Sequence, residues 1–432
     1  MKIDKGRATD EGVAEFIALA KKLEGSGPQY LQQLRAQAAQ KFGALGFPEP
    51  RDEEWKYTSI KPVTGFGQAL QPVLHLNGAA NEVGKYLHGA LRLAFINGQF
   101  TVELSNVEGL PEGVIVSNLA PHFEHEAVRG RLNSVAGTTN DDAPTALNAA
   151  LIEDGAFVFV PANVHLEAPV ELLFYTMGDG AGSVQPRVLI VAGAGASLTV
   201  SETHAGLGMY FSNAVSEVFV GDGAWVDHYK MLRESDAAFH IGTLQVLAGR
   251  NSRFASHSVN LSGRIVRLNA NARMEGEGAE VTLNGVVLGR GAAHIDNHTA
   301  MDHASPRCTS HERYAHILDG QSEAVFNGKI FVRVDAQKTD AVQSNRTLLL
   351  SRDAVINTKP QLEILADDVK CTHGATIGQL DEGALFYLRA RGIGEDQARA
   401  MLTYAFAEEV LEAVKLDWFK QSVEAELTAQ LN

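Results

Sequence analysis

The chain has 432 residues, 45% of them hydrophobic, and a formal net charge of −15 at pH 7. This length allows two or three domains or one long repetitive domain. No apolar run approaches the roughly 18 residues that a membrane-spanning helix needs. The acidic excess repels nucleic-acid phosphates, so we expect neither a membrane nor a nucleic acid as partner. The N-terminal segment is too acidic for a secretory signal or a transit peptide, which predicts a cytoplasmic protein.

Residues 1–150 have the pattern of a helical and mixed region. Apolar residues at helical spacing predict two helices, separated by a Gly-Ser-Gly-Pro break at residues 25–28. The dipeptide Asn97-Gly98 between two short extended runs is typical of a β-hairpin. The alanine-rich residues 145–152 predict one further short helix.

Residues 151–378 consist of short β-branched runs separated by glycine-rich turns. The turn-like junctions end at Ala196, Ala224, Ser252, Ala279, Ala292, Glu323 and Ala354. Successive spacings are 28, 28, 27, 13, 31 and 31 residues, so one interval is about half of the others. A coil built from two strand-and-turn units gives this pattern. Glycine-rich turns also recur in other all-β proteins, but regular spacing favours a mainly β fold, a right-handed parallel β-helix in the form of a flattened solenoid.

Residues 379–432 again have helical periodicity. Asp381 can cap a first helix that ends near Gly392, and a second runs from about Glu395 beyond Val414. The last stretch carries Trp418 and Phe419 together with further apolar residues. These aromatic side chains could cap the open end of the solenoid or dock a partner helix, and capping is the more ordinary role.

The common catalytic signatures are absent from the sequence. It contains no G-x-x-x-x-G-K-[ST], G-x-S-x-G, H-E-x-x-H or C-x-x-C motif. We therefore expect no nucleotide bound through a P-loop on this chain. Five histidines lie close together in sequence and could either bind a metal or pair across neighbouring coils: His294, His298, His303, His311 and His316.

Cys371 and His373 form the sharper candidate site. Because strand geometry has a period of two, these residues project to the same side of a strand near the end of the solenoid. Thiolate and imidazole are both ligands of iron and iron–sulfur centres. Two ligands do not complete a cluster site, so further ligands would have to come from elsewhere. A buried, inert cysteine beside a histidine is the alternative.

The segment around this pair, KPQLEILADDVKCTHGATIGQLD at residues 359–381, resembles the signature of the SufB/SufD family of iron–sulfur cluster assembly proteins. Further stretches in the style of that family are EWKYT at 54–58, FNGKI at 326–330, AQKTDA at 336–341, NRTLLLS at 345–351 and LFYLR at 385–389. SufB is longer and often carries additional N-terminal cysteines, whereas no cysteine precedes Cys308 here. The resemblance therefore favours the SufD branch over a SufB-like paralogue.

This resemblance implies a parallel β-helix with helical ends. It further implies a non-catalytic scaffold subunit that pairs with SufB through the β-helix. The C-terminal helices would dock the SufC ATPase. Cys371 and His373 would lie at the SufB interface, where a transient iron–sulfur cluster forms and iron is acquired, with His373 the more important of the two. Two other functions remain open: a β-helix polysaccharide lyase or hydrolase, and a scaffold in which this pair only packs.

Overall fold

In the computed structural model, residues 7–70, 80–136 and 142–431 are described. Within them the α-helices are α1 Arg7–Lys21, α2 Gln29–Leu45, α3 Ala80–Gly84, α4 Glu126–Arg131, α5 Ala143–Ala150, α6 Glu382–Ala390, α7 Glu395–Leu411 and α8 Asp417–Leu431. Short 3₁₀ helices cover Glu53–Trp55, Lys61–Gly65, Val102–Leu104 and Ala120–His122. The strands are β1 Gln68–Ala69, β2 Leu91–Ile96, β3 Gln99–Phe100, β4 Ile115–Asn118, β5 Ala156–Val160, β6 Val170–Val184, β7 Arg187–Ala192, β8 Ser197–Val220, β9 Trp225–Arg233, β10 Phe239–Ala248, β11 Arg253–Ser262, β12 Ile265–Met274, β13 Glu280–Gly289, β14 His294–His303, β15 Thr309–Leu318, β16 Glu323–Val332, β17 Asp340–Leu349, β18 Val355–Ile364 and β19 Lys370–Gly378.

The strands after β5 form a flattened parallel β-helix. From β8 onward each strand pairs in parallel with the strand two positions later in the chain, so the coils have two walls. Wall one contains the second half of β8 and then β10, β12, β14, β16 and β18. Wall two contains the first half of β8 and then β9, β11, β13, β15, β17 and β19. The predicted parallel β-helix is therefore confirmed.

The uneven turn spacing follows from these two walls. Ala196, Ala224, Ser252 and Ala279 each precede a strand of wall two, whereas Ala292 lies just before β14 of wall one. The interval of 13 residues is the step across one coil from wall two to wall one, and the longer intervals are whole coils.

Apolar side chains alternate between the interior and the outer faces of the coils, as strand geometry requires. The interior holds a continuous core that includes Val226, Val246 and Phe326. On wall one, helices α1, α2 and α5 cover outward-facing residues such as Phe211 and Ile241. Helices α7 and α8 cover the outer face of wall two. Both helical regions therefore bury the sides of the solenoid.

The C-terminal aromatic residues lie on wall two. Phe419 is fully buried, and its ring centroid lies 5.3 Å from that of Tyr229 on β9. Trp418 stacks on His88 at 4.4 Å. The expectation that these aromatics cap the open end of the solenoid is wrong, because the outward residues of β9, β11, β13 and β15 form an apolar surface on which they pack.

Several smaller elements follow their sequence patterns. Asn97 and Gly98 both have positive φ, 49° and 79°, and they join β2 to β3 as an antiparallel pair. That conformation is the reason for an Asn-Gly turn. Asp381 caps α6 by accepting a hydrogen bond from the Ala384 amide at 2.6 Å. Among the described helices, none combines the length and the apolar character needed to cross a membrane.

Candidate functional site

Cys371 and His373 lie on β19, the last strand of wall two. In the parallel register Cys371 is paired with Ala341 and His373 with Gln343 of β17. Ala341 and Gln343 are buried inside the solenoid. The side chains of Cys371 and His373 therefore continue the interior positions of the preceding coil, on one side of the strand as the sequence predicts.

Cys371 is partly buried and packs against the interior core. Burial, with a smaller contribution from the Asp340 carboxylate, raises the pKa of its thiol above the ordinary value. The thiol is therefore neutral at neutral pH, and its conversion to a thiolate ligand requires a nearby cation such as iron.

His373 is exposed, although its strand position is an interior one. Within the described residues no strand follows β19 along wall two or β18 along wall one. The backbone groups on the outer edges of these strands are thus open for pairing with another chain. Exposed apolar side chains line the same end, namely Val355, Ile364, Leu365 and Ile377.

Cys308 is the other cysteine, and it is remote from solvent. Its side chain is completely buried in the interior core, with Sγ 3.3 Å from the carbonyl oxygen of Gly276. Burial raises the pKa of its thiol. Cys308 and Cys371 are both free thiols, and Cys308 has the character of a packing residue.

The five histidines that are close in sequence are divided between two environments. His303 and His316 are buried in the interior, where they pair with Ser310 and Asn345 at 2.9 Å each. Burial lowers the pKa of both to about 4.

His294 and His298 instead lie on the outer face of wall one. His294 lies 2.9 Å from Thr58 Oγ1, and His298 lies 3.0 Å from Asp296. Two of the five pair across neighbouring coils, His316 with Asn345 and His294 with Glu323. His303 and His298 instead contact residues close to them in sequence, and His311 is partly buried. Within the described residues the five histidines do not converge on one metal site.

The EWKYT motif explains the contacts of that outer face. The Trp55 ring lies under the guanidinium group of Arg267 at 3.8 Å, and Arg267 also donates to the carbonyl of Glu54 at 2.7 Å. Thr58 donates to Asp296 at 2.5 Å. Glu53, just before the motif, pairs with Lys359 of β18 at 2.8 Å. The motif and the residue before it therefore fasten the N-terminal region across successive coils of wall one, as far as the last one.

Helix α6 follows β19 directly and presents aromatic residues to solvent. Phe386 and Tyr387 are 74% and 57% exposed, and Met401 on α7 is 46% exposed. Only Leu385 of α6 is buried. An exposed aromatic pair next to the open end of the solenoid is typical of a protein interaction surface.

Sequence reasoning missed a cluster of buried ionisable groups in the early coils. Glu202 contacts Lys230 at 2.8 Å and His228 at 3.0 Å, and His240 contacts Glu234 at 2.7 Å. These residues are inside the solenoid, where charged groups are stable only when paired. Glu202 lies about one coil before its partners in the sequence, so its contacts can be recognised only when the register is known.

Two family models match the chain. The one described as the SufBD protein N-terminal region matches residues 14–172, and the one described as SUF system FeS cluster assembly, SufBD core domain, matches residues 174–406.

Similar proteins cover nearly the whole chain. An iron–sulfur cluster assembly SufBD family protein of Synechocystis is 36% identical over 410 residues, which are 91% of this chain and 90% of the relative. The iron–sulfur cluster assembly protein SufD of Escherichia coli is 29% identical over 422 residues, 96% of this chain and 95% of the relative. SufD of Bacillus subtilis is 27% identical over 409 residues, with 92% and 93% covered. The chain belongs to the SufBD family of the SUF iron–sulfur cluster assembly system.

Proposed function

We propose that this chain is the non-catalytic, SufD-type scaffold subunit of a SUF assembly complex. In this proposal the open end of the β-helix pairs with SufB, and a nascent iron–sulfur cluster forms transiently at the junction. The observation that carries the proposal is the final coil, where Cys371 and His373 occupy interior positions that no further coil covers within the described residues.

The proposed pairing with SufB is supported by the chemistry of that end. Strands β18 and β19 are the last strands of wall one and wall two, and each pairs in parallel with another strand on one edge only. Main-chain hydrogen bonds to a partner strand would satisfy the backbone groups on the other edge. The apolar residues Leu365 and Ile377 beside these edges are 50% and 52% exposed. Covering them would add hydrophobic stabilisation to the interface.

A role for His373 follows from its exposure and its position. Its imidazole is free to reach an iron atom held in part by the partner, because the strand offers it to solvent beside the junction. Cys371 lies on the same side of the strand but is partly buried and has a raised thiol pKa. His373 is therefore the more accessible ligand of the two.

The proposed docking of SufC uses the C-terminal helices. Helix α8 is anchored on wall two through the fully buried Phe419 and Leu427, and helix α7 through Ala407 and Leu411. Helix α6 leaves Phe386 and Tyr387 free for a partner. Because α6 follows β19 directly in the chain, ATP-driven movement of a docked SufC could be transmitted to the SufB junction.

The test is co-expression of the chain with SufB and SufC of the same organism, comparing the wild type with His373→Ala. Complex mass and visible cluster absorbance after anaerobic reconstitution are measured. Thr372→Ala is the matched control, because Thr372 is an exposed neighbour that projects to the opposite side of β19. We expect the wild type and both variants to form the complex with SufB and SufC. Cluster absorbance should be reduced, on the order of tenfold, in His373→Ala alone.

Two results would contradict the proposal in different ways. If the wild-type chain forms no complex with SufB and SufC, the scaffold assignment is wrong. If the complex forms and His373→Ala retains the wild-type cluster, the scaffold assignment stands but the role given to His373 is wrong.

A further inference from the structure

A compact group of three possible metal ligands lies inside the early coils of the solenoid. His204 belongs to β8, Glu234 to the turn after β9 and His240 to β10. Their side chains are almost completely buried, with 1%, 4% and 0% exposure. One ligand atom from each residue lies within 4.8 Å of the others. The group is separate from the last coil, since β12, β14 and β16 lie between β10 and β18 along wall one.

The three side chains already contact one another. Oε1 of Glu234 lies 2.7 Å from Nδ1 of His240. The other oxygen of Glu234 accepts a hydrogen bond from the buried Tyr210 hydroxyl. The rings of His204 and His240 meet edge to face, with centroids 4.9 Å apart. Two imidazoles and one carboxylate therefore converge, with a phenol oxygen next to them.

Several nitrogen atoms in this group lack partners. Among the described residues, neither ring nitrogen of His204 has a hydrogen-bond partner, and Nε2 of His240 has none either. A buried polar atom without a partner destabilises the folded state. Each such atom in a native structure needs an explanation, and a bound ion is one. Three of them within one small cluster therefore indicate that something else fits between these rings.

A supporting group is also in place. Oε2 of Glu202 lies 3.6 Å from Nε2 of His204, which is too long for a hydrogen bond in the present geometry. Binding of a metal at Nδ1 of His204 would place the proton on Nε2, facing this carboxylate. Histidine ligands in metal sites are usually oriented by a carboxylate in this way.

We propose that His204, Glu234 and His240 bind one divalent first-row transition-metal ion, for which Zn²⁺ is the representative probe. Two histidines and one carboxylate form a recurrent ligand set for zinc and for non-haem iron. Bonds of 2.0–2.1 Å in a tetrahedral site bring ligand atoms to about 3.3 Å from one another, so the ligand atoms, which now lie within 4.8 Å of one another, would adjust to that distance on binding. The ion would tie β8, the turn after β9 and β10 together, independently of cluster assembly at the last coil.

The test uses the isolated full-length chain, without SufB or SufC. Metal content after dialysis is measured by mass spectrometry, and the metal-free chain is titrated with Zn²⁺ while the thermal unfolding midpoint is recorded. We expect about one ion per wild-type chain and a rise of the midpoint with Zn²⁺. His240→Ala should hold at least about tenfold less metal.

Two further variants separate metal loss from damage to the core. His316→Ala removes an equally buried interior imidazole outside the cluster and should keep the ion. Glu234→Gln preserves the side-chain shape, so it tests the site if His240→Ala does not fold. The proposal is overturned if the wild-type chain binds no Zn²⁺, or if both cluster variants bind as much Zn²⁺ as the wild type.

Discussion

Glu312 provides a quantitative test of how strongly the interior of the solenoid disfavours an ionised carboxylate. It lies on β15 and is fully buried, and its Oε2 accepts a hydrogen bond from the Gln343 amide. Within the described residues its Oε1 has no hydrogen-bond partner. Burial raises the pKa of this carboxyl from 4.5 to about 7. Glu312→Gln replaces it with a neutral group of the same shape.

The direction and size of the effect follow from proton linkage. The folded chain binds the Glu312 proton more tightly than the unfolded chain, so this contribution to stability is complete below pH 4.5 and is lost as the pH rises through about 7. A glutamine at position 312 does not titrate, so its contribution to stability does not depend on pH. A pKa raised from 4.5 to about 7 corresponds, at 1.36 kcal/mol per pH unit, to about 3 kcal/mol. The variant should therefore gain stability relative to wild type, by about 1 kcal/mol at pH 5 and about 3 kcal/mol at pH 8.

Equilibrium urea unfolding between pH 5 and pH 8, followed by circular dichroism, measures this difference. Buried histidines such as His303 and His316 titrate in both proteins and cancel in the comparison. Glu108→Gln is the control, because Glu108 is exposed and its replacement should give no pH-dependent difference. If the stability difference between Glu312→Gln and wild type is the same at both ends of the pH range, the reasoning is refuted.

Two further variants test an internal anchor and an external surface. Glu217 is buried and pairs with Arg187, and it accepts hydrogen bonds from the Asn133, Val135 and Ala136 amides. Glu217→Gln leaves the buried Arg187 without an opposite charge, so urea unfolding should show a stability lower by about 3–5 kcal/mol. A loss below about 1 kcal/mol would contradict the anchor role. Phe386→Ala should weaken co-purification of SufC while changing stability by less than about 0.5 kcal/mol. Val102→Ala, at an exposed apolar residue outside the C-terminal helices, is the control. Undiminished SufC binding in Phe386→Ala would show that α6 is not the docking surface.

The coil architecture was predictable because stacking imposes a repeat on the sequence. Ala196, Ala224, Ser252 and Ala279 are all between 0% and 1% exposed, and each lies at the same corner of its coil. Only small side chains fit where turns stack directly on one another. The same requirement makes the glycine-rich turns recur, which is why their regular spacing favours a solenoid over other all-β folds.

The placement of the C-terminal aromatics was not predictable from the same pattern. Helical periodicity indicates which face of α8 is apolar, but not what that face contacts. Its partner surface is formed by alternate residues of separate strands, such as Tyr229 of β9, Val259 of β11 and Val286 of β13. Alternation within one strand does not reveal whether the outward residues of its neighbours are also apolar, so the docking site on wall two appears only once the strands are in register.

The buried group of His204, Glu234 and His240 was also not predictable from the sequence pattern. His204 and Glu234 are separated by about one coil in the sequence, and His240 follows only after a turn. A motif search depends on fixed short spacing, whereas coil lengths here vary between strands. Residues that meet inside the solenoid therefore leave no contiguous signature.

The candidate site at β19 differs from these cases, because it is exposed where the stacking of coils ends. Ala341 and Gln343 occupy the same interior positions one coil earlier as Cys371 and His373, and both are buried. Within the strand itself the pattern of inward and outward residues is unchanged. What changes is that no described strand stacks on β19, so a thiol and an imidazole at interior positions become accessible from the end of the molecule. The sequence predicts that Cys371 and His373 share a side, but their accessibility depends on where the solenoid stops, and a second β-helix placed on that end would enclose both groups again.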